Sequence, residues 1–166
     1  LIGWHDDRFA SLELERLAGD INFSLAIQNM DQCVKGGGVL TQFLPGLEAI
    51  AAIAAGGSGI VSQIKSTDAF RTNIGFTNFS DAPCDVTVTL HGADGSQVGS
   101  PVSVTGIPAG RWRQVNRIFQ AAGVAECPIG YAVVTPVTPG CLVWAYASVV
   151  DNGSGDPTTI PMVKAY

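Results

Sequence analysis

Charge is scarce in this chain. Only 14% of its 166 residues are Asp, Glu, Lys or Arg, against roughly 25% in an average soluble protein. Three lysines are present, at positions 35, 65 and 164, so long solvated helices have little to build their outer faces from. The net charge of -5 excludes the basic footprint that a phosphate backbone demands, and no nucleic-acid partner is expected. The chain also lacks any apolar run near the ~18 residues that cross a bilayer as a helix, so no membrane span is expected. Its most apolar stretch, Leu47 to Ala55, is alanine-rich and closes on Gly56-Gly57-Ser58-Gly59, as a loop or short helix packed on a sheet would. There is no initiator Met and no signal-like segment at Leu1; a processed mature chain or a part of a longer one is expected.

Hydrophobic residues, by contrast, make up 46%, and Gly 20 and Pro 9 supply many turns. That is the balance of a β-rich extracellular protein, and the length suits one domain with a sizeable core. The four cysteines, Cys33, Cys84, Cys127 and Cys141, include no C-x-x-C pair, and His5 and His91 are distant from all of them. Zinc is poorly served by such spacing; disulfides in an oxidising compartment fit better, with four buried thiols as the alternative. Three connectivities exist. Cys127–Cys141 would bracket one expected hairpin and leave Cys33–Cys84.

Ile21, Phe23, Leu25 and Ile27 alternate with Asn22, Ser24, Ala26 and Gln28, the period of a strand. The segment before it, Asp6 to Leu17, fits helix and strand equally. Further strands are expected at Val39–Leu44, Gly59–Ile64, Thr72–Phe79, Asp85–His91, Gln97–Thr105, Arg111–Asn116, Gly130–Thr135 and Leu142–Val150, with one helical turn between Arg117 and Ala122. The breaks carry turn chemistry. Asp94-Gly95 is a preferred hairpin dipeptide because its turn needs positive φ, and Pro108-Ala109-Gly110 and Pro139-Gly140 combine fixed and free φ. Short strands at this spacing, without helices between them, predict an all-β antiparallel sandwich, Ig-like or jelly-roll-like, of about eight to ten strands. Residues 37–166 would form it, and residues 1–36 a strand-like segment able to act as a swapped or donor element.

Phe70-Arg71-Thr72-Asn73-Ile74-Gly75-Phe76-Thr77-Asn78 and Tyr146-Ala147-Ser148-Val149-Val150-Asp151-Asn152-Gly153-Ser154-Gly155-Asp156-Pro157 stand out, with Arg113-Gln114-Val115-Asn116 between them. Together with Gly38-Val39-Leu40-Thr41-Gln42-Phe43-Leu44-Pro45, the set resembles an uncharacterised β-sandwich module of large secreted bacterial proteins. The likeness spans roughly Gly37 to Pro161 and excludes the cysteines and the first 33 residues or so. It implies a secreted or cell-surface location and a sandwich fold, and it assigns no activity.

Signals for catalysis are thin. Gly56-Gly57-Ser58-Gly59-Ile60 begins like a nucleophile elbow, but Ile60 stands where glycine belongs. His5-Asp6-Asp7 has no second histidine nearby. Glu13, Glu15, Glu48, Asp81, Asp85 and Glu126 are ordinary solvated carboxylates unless the fold pairs them. No catalytic residue is expected. Asp151, Asn152 and Asp156 are the candidate Ca²⁺ ligands, read first as a structural turn because the ordered spacing of a calcium loop is missing. Arg71, Asn73, Asn116 and Asp151 form a candidate structural polar network, with Asn78 a further strand-borne amide. Arg111, Arg113 and Arg117 read as a solvated strand edge. Trp112, Trp144 and Tyr146 are the candidate ligand-binding residues. Exposed, they would stack on sugar rings; buried, they would be core, and a protein contact is the third reading. The expected function is a non-catalytic structural or interaction module. Its partners would be other copies of itself, through the N-terminal segment, or other extracellular proteins. The alternative is a carbohydrate-binding module.

Overall fold

The computed structural model describes residues 51–165, together with the backbone of two short strands, Ala26–Gln28 (β1) and Phe43–Pro45 (β2). These two pair antiparallel, Ile27 opposite Leu44. The remainder of the expected N-terminal strands, Asp6–Leu17 and Cys33 lie outside the described residues.

Two antiparallel sheets carry the fold, as the spacing of short strands predicts. The first runs β11 (Pro157–Pro161), β10 (Leu142–Asp151), β5 (Phe70–Asn78), β8 (Trp112–Val115), and β3 (Ile53–Ala54) also pairs with β10. The second runs β12 (Val163–Lys164), β4 (Gly59–Ser66), β9 (Cys127–Pro136), β6 (Cys84–Gly92), β7 (Gln97–Ile107). One helical turn, α1 (Ile118–Ala121), follows β8 at the expected place and contacts β5 and β7. Within these two sheets, only the β6–β7 and β10–β11 connections join neighbours in one sheet. The chain otherwise passes from sheet to sheet, which ties the two layers together.

The core lies between them. Ile74 and Phe76 of β5 and Val143, Ala145 and Ala147 of β10 face Val61 and Ile64 of β4, Val86, Val88 and Leu90 of β6, and Ala132 and Val134 of β9. On β6 the burial alternates strictly, and Asp85, Thr87 and Thr89 look outward. In β4 both Val61 and Ile64 are buried although three residues apart. The register slips between them, at Gln63 with φ 56°, and this bulge restores inward facing to Ile64. The Asp94-Gly95 hairpin forms as expected: Gly95 takes φ 84°, and Asp94 accepts the Ser96 N–H and hydroxyl.

The cysteine pairing differs from expectation. Cys84 is bonded to Cys141, with Cα atoms 5.4 Å apart, and the Cys127 thiol is free and buried. The Cys127–Cys141 reading assumed that β9 and β10 form a hairpin around Pro139-Gly140. They belong to opposite sheets, so that turn crosses the sandwich and carries Cys141 to the first residue of β6. The bridge therefore joins the two sheets, and it fits an oxidising compartment.

Candidate functional site

The aromatic candidates converge. Cross-strand register puts Trp144, Thr77 and Trp112 in one row on the outward side of the first sheet, with Tyr146 and Gly75 in the next. The Trp144 and Tyr146 rings stack with centroids 5.7 Å apart, and the Trp112 indole N–H donates to the Tyr146 hydroxyl. Gly75 is the seat of the tyrosine: a Cβ there would lie 2.4 Å from the Tyr146 ring. Sequence reading passed over this glycine, although a strand-interior Gly is the usual mark of such close approach. Trp144 and Tyr146 are only 3% and 5% exposed, so neither offers an open ring face to a sugar.

Gly75→Ala is expected to lower stability by about 2 kcal/mol, because the methyl group overpacks the buried Tyr146 ring. The loss should shrink when Tyr146 is also replaced by Leu, a coupling that denaturant melts of the four proteins would expose.

Burial raises the Tyr146 hydroxyl above its ordinary value of 10.0, and the Trp112 hydrogen bond opposes the shift in part. Below the unfolded-state value both states keep the proton. As pH rises beyond it the unfolded chain ionises first, so stability falls. The melting point should therefore drop more steeply above pH 10 in the wild type than in Tyr146→Phe.

The Asp151–Asp156 turn uses its oxygens internally. Asp151 accepts the Gly153 and Ser154 N–H groups, which hold its carboxyl below the usual range. Asn152 accepts from the Arg71 guanidinium at 2.7 Å and donates to the Asp68 carbonyl. A guanidinium at this amide opposes a cation there, and the donor set fits a loop clamp better than a Ca²⁺ site.

The expected polar network resolves into separate clamps. Arg71 and Asn152 tie β5 to the turn after β10. Asn73 accepts the backbone N–H of Arg117, whose φ is 51°. Among the described residues, Asn116 accepts from Gln114, two positions before it. Asn78, wholly buried, is the strongest of them: its amide donates to the carbonyls of Ala82, Ile107 and Pro108, and its oxygen accepts the Ser80 N–H.

Elsewhere, Ser58 sits in the link between two strands, with no elbow around it. His91 stacks on Tyr131 at 4.8 Å beside the hairpin. Arg113 bonds the Thr105 carbonyl, while Arg111 and Arg117 are exposed. Asp85 accepts the Gly106 N–H, and Asp81 and Glu126 are exposed. His5, Asp6, Asp7, Glu13, Glu15 and Glu48 lie outside the described residues. A depression of about 370 Å³ lies by β3 and β12, lined by Ala52, Ile53, Ser58, Leu142 and Lys164. A second, of about 330 Å³, opens between β4 and β11, where the Lys65 ammonium lies 4.3 Å over the Phe70 ring and Asp151 and Asp156 form the rim. No group of three or more potential metal ligands occurs among the described residues. No family model, curated protein or solved structure matches the chain.

Proposed function

We propose that the chain is a non-catalytic structural or interaction module of a secreted or cell-surface bacterial protein, whose copies join through the N-terminal segment. The observation that carries this reading is where the motif residues spend their polar groups. Arg71, Asn73, Asn78, Asp151 and Asn152 all bind loop backbone or one another, so the motifs that carry the family resemblance preserve a scaffold. The inter-sheet bridge supports secretion, because such bonds persist in oxidising compartments. An N-terminal segment with strand alternation supports joining, since an element of that kind can be exchanged between copies.

The test is light scattering on the purified, unreduced chain over a wide concentration range, with negative-stain imaging. Closed oligomers or filaments are the expected result. A compact monomer at every concentration overturns the joining of copies.

A further inference from the structure

Of the six asparagines in the chain, Asn152 is the one followed by glycine. That dipeptide carries a chemistry of its own. The main-chain nitrogen of the glycine attacks the carboxamide carbon of the asparagine, and a five-membered succinimide ring closes. The carbon–nitrogen bond of the side chain breaks, and its nitrogen leaves as ammonia with the proton that the glycine nitrogen gives up. Water then opens the ring to aspartate, or to an isoaspartyl link in which the main chain runs through the former side chain. Glycine favours the attack because it has no Cβ in the way and its backbone turns freely. Asparagine is among the thermolabile residues.

In the turn after β10 both reacting residues are exposed to water, yet both are held. The Asn152 carboxamide accepts from the Arg71 guanidinium at 2.7 Å and donates to the Asp68 carbonyl at 2.9 Å. The Gly153 N–H, on the attacking nitrogen, donates to the Asp151 carboxylate at 2.7 Å. The main chain is tied as well: the Asn152 N–H donates to the Ala69 carbonyl and the Gly155 N–H to the Asp151 carbonyl, each at 2.8 Å. Closing the ring needs the carboxamide to swing toward Gly153 and the main chain between the two residues to rotate. These bonds oppose both movements. The three side-chain bonds are exposed, so opening the turn gives up little buried surface.

We propose that Asn152–Gly153 is a self-modification site, a deamidation point that the bonds to Arg71 and Asp68 hold shut and that local opening of the turn sets off. The change runs one way. Aspartate at 152 keeps a partner in Arg71 but has no N–H for the Asp68 carbonyl, and it sets oxygen against oxygen there. The isoaspartyl product adds a methylene to the main chain between the Asn152 and Gly155 N–H groups, so the bonds to Ala69 and to Asp151 cannot both re-form. Either product loosens the link between the turn before β5 and the turn after β10. The site acts within one copy and does not depend on how copies join.

The test follows the peptide around Asn152 by mass spectrometry while the unreduced full chain stands at neutral pH, with an isoaspartyl assay as the second readout. The folded wild type is expected to react about ten-fold more slowly than the same chain unfolded in urea, because the reaction must wait for the turn to open. Arg71→Ala should raise the folded rate about five-fold, the weight of an exposed hydrogen bond to a charged group, with the sheet circular dichroism unchanged. Arg71→Lys keeps one donor and should raise it less; that variant keeps the test usable if the Ala form does not fold. Asn73→Ala removes a clamp on the same strand that does not touch this turn, and the rate should stay at the wild-type value. Equal rates in folded and unfolded wild type overturn the proposal, as does an unchanged rate in both Arg71 variants. A rise in Asn73→Ala as large as in Arg71→Ala also overturns it, in favour of general loosening of the fold.

Discussion

Replacing Cys84 and Cys141 together by alanine is expected to lower the unfolding free energy by about 4 kcal/mol, the chain-entropy value for a loop of this length. The two residues are 57 apart in sequence, so the bridge removes a large set of open conformations from the unfolded chain. Its position adds to the effect. It crosses from one sheet to the other beside the Asn78 clamp, and without it the layers are held there by packing and hydrogen bonds alone. Urea melts of the wild type, the double variant and the reduced wild type measure the loss. The latter two should agree, because Cys127 is free and reduction there changes nothing. A loss under 1 kcal/mol would mean that the unfolded chain is already held together in this region.

The second large effect belongs to Asn78. One side chain satisfies three carbonyl oxygens, of Ala82, Ile107 and Pro108, and the Ser80 N–H, all from inside the core. Asn78→Ala should cost about 3 kcal/mol, because truncation leaves buried backbone groups without partners and opens a void. Asn78→Asp is the sharper variant. An ionised carboxylate donates nothing to the three carbonyls and is itself a buried charge, so its loss at neutral pH should exceed that of alanine. Protonation restores one donor, and the Asp variant should regain stability relative to wild type as pH falls. Thermal melts between about pH 4 and pH 7 check the sign. An Asp variant as stable as wild type at neutral pH would show that the amide hydrogen bonds contribute little.

Short strand-like runs between turn signals located β4 to β10 within a few residues, and Asp94-Gly95 marked the β6–β7 hairpin because its backbone demand is local. What depends on separation in space was hidden. Pro139-Gly140 looks the same whether the next strand pairs with the last or crosses to the other sheet, and the cysteine pairing turned on that choice. Short β11, bounded by Pro157 and Pro161, gives no run long enough to read, and β12 is two residues. At the candidate site, the shared side of Trp144 and Tyr146 followed from spacing alone, as did the opposite placement of Ala145 and Ala147. Which side faced the core did not. Both sides of β10 are apolar enough to be inner ones, and both are buried. Asn78 was legible as a clamping amide; the carbonyl partners that make it costly to lose come from two loops and the end of β7, 4 to 30 residues away.

The Cys84–Cys141 bridge also bears on how the chain would behave under tension. A pull applied at its two ends can pay out only the residues before Cys84 and after Cys141. The 57-residue span between them, roughly 200 Å if drawn straight at ~3.5 Å per residue, stays outside the line of force for as long as the bond is intact. Reducing conditions would release that length all at once, so redox state sets how far the chain can extend under load.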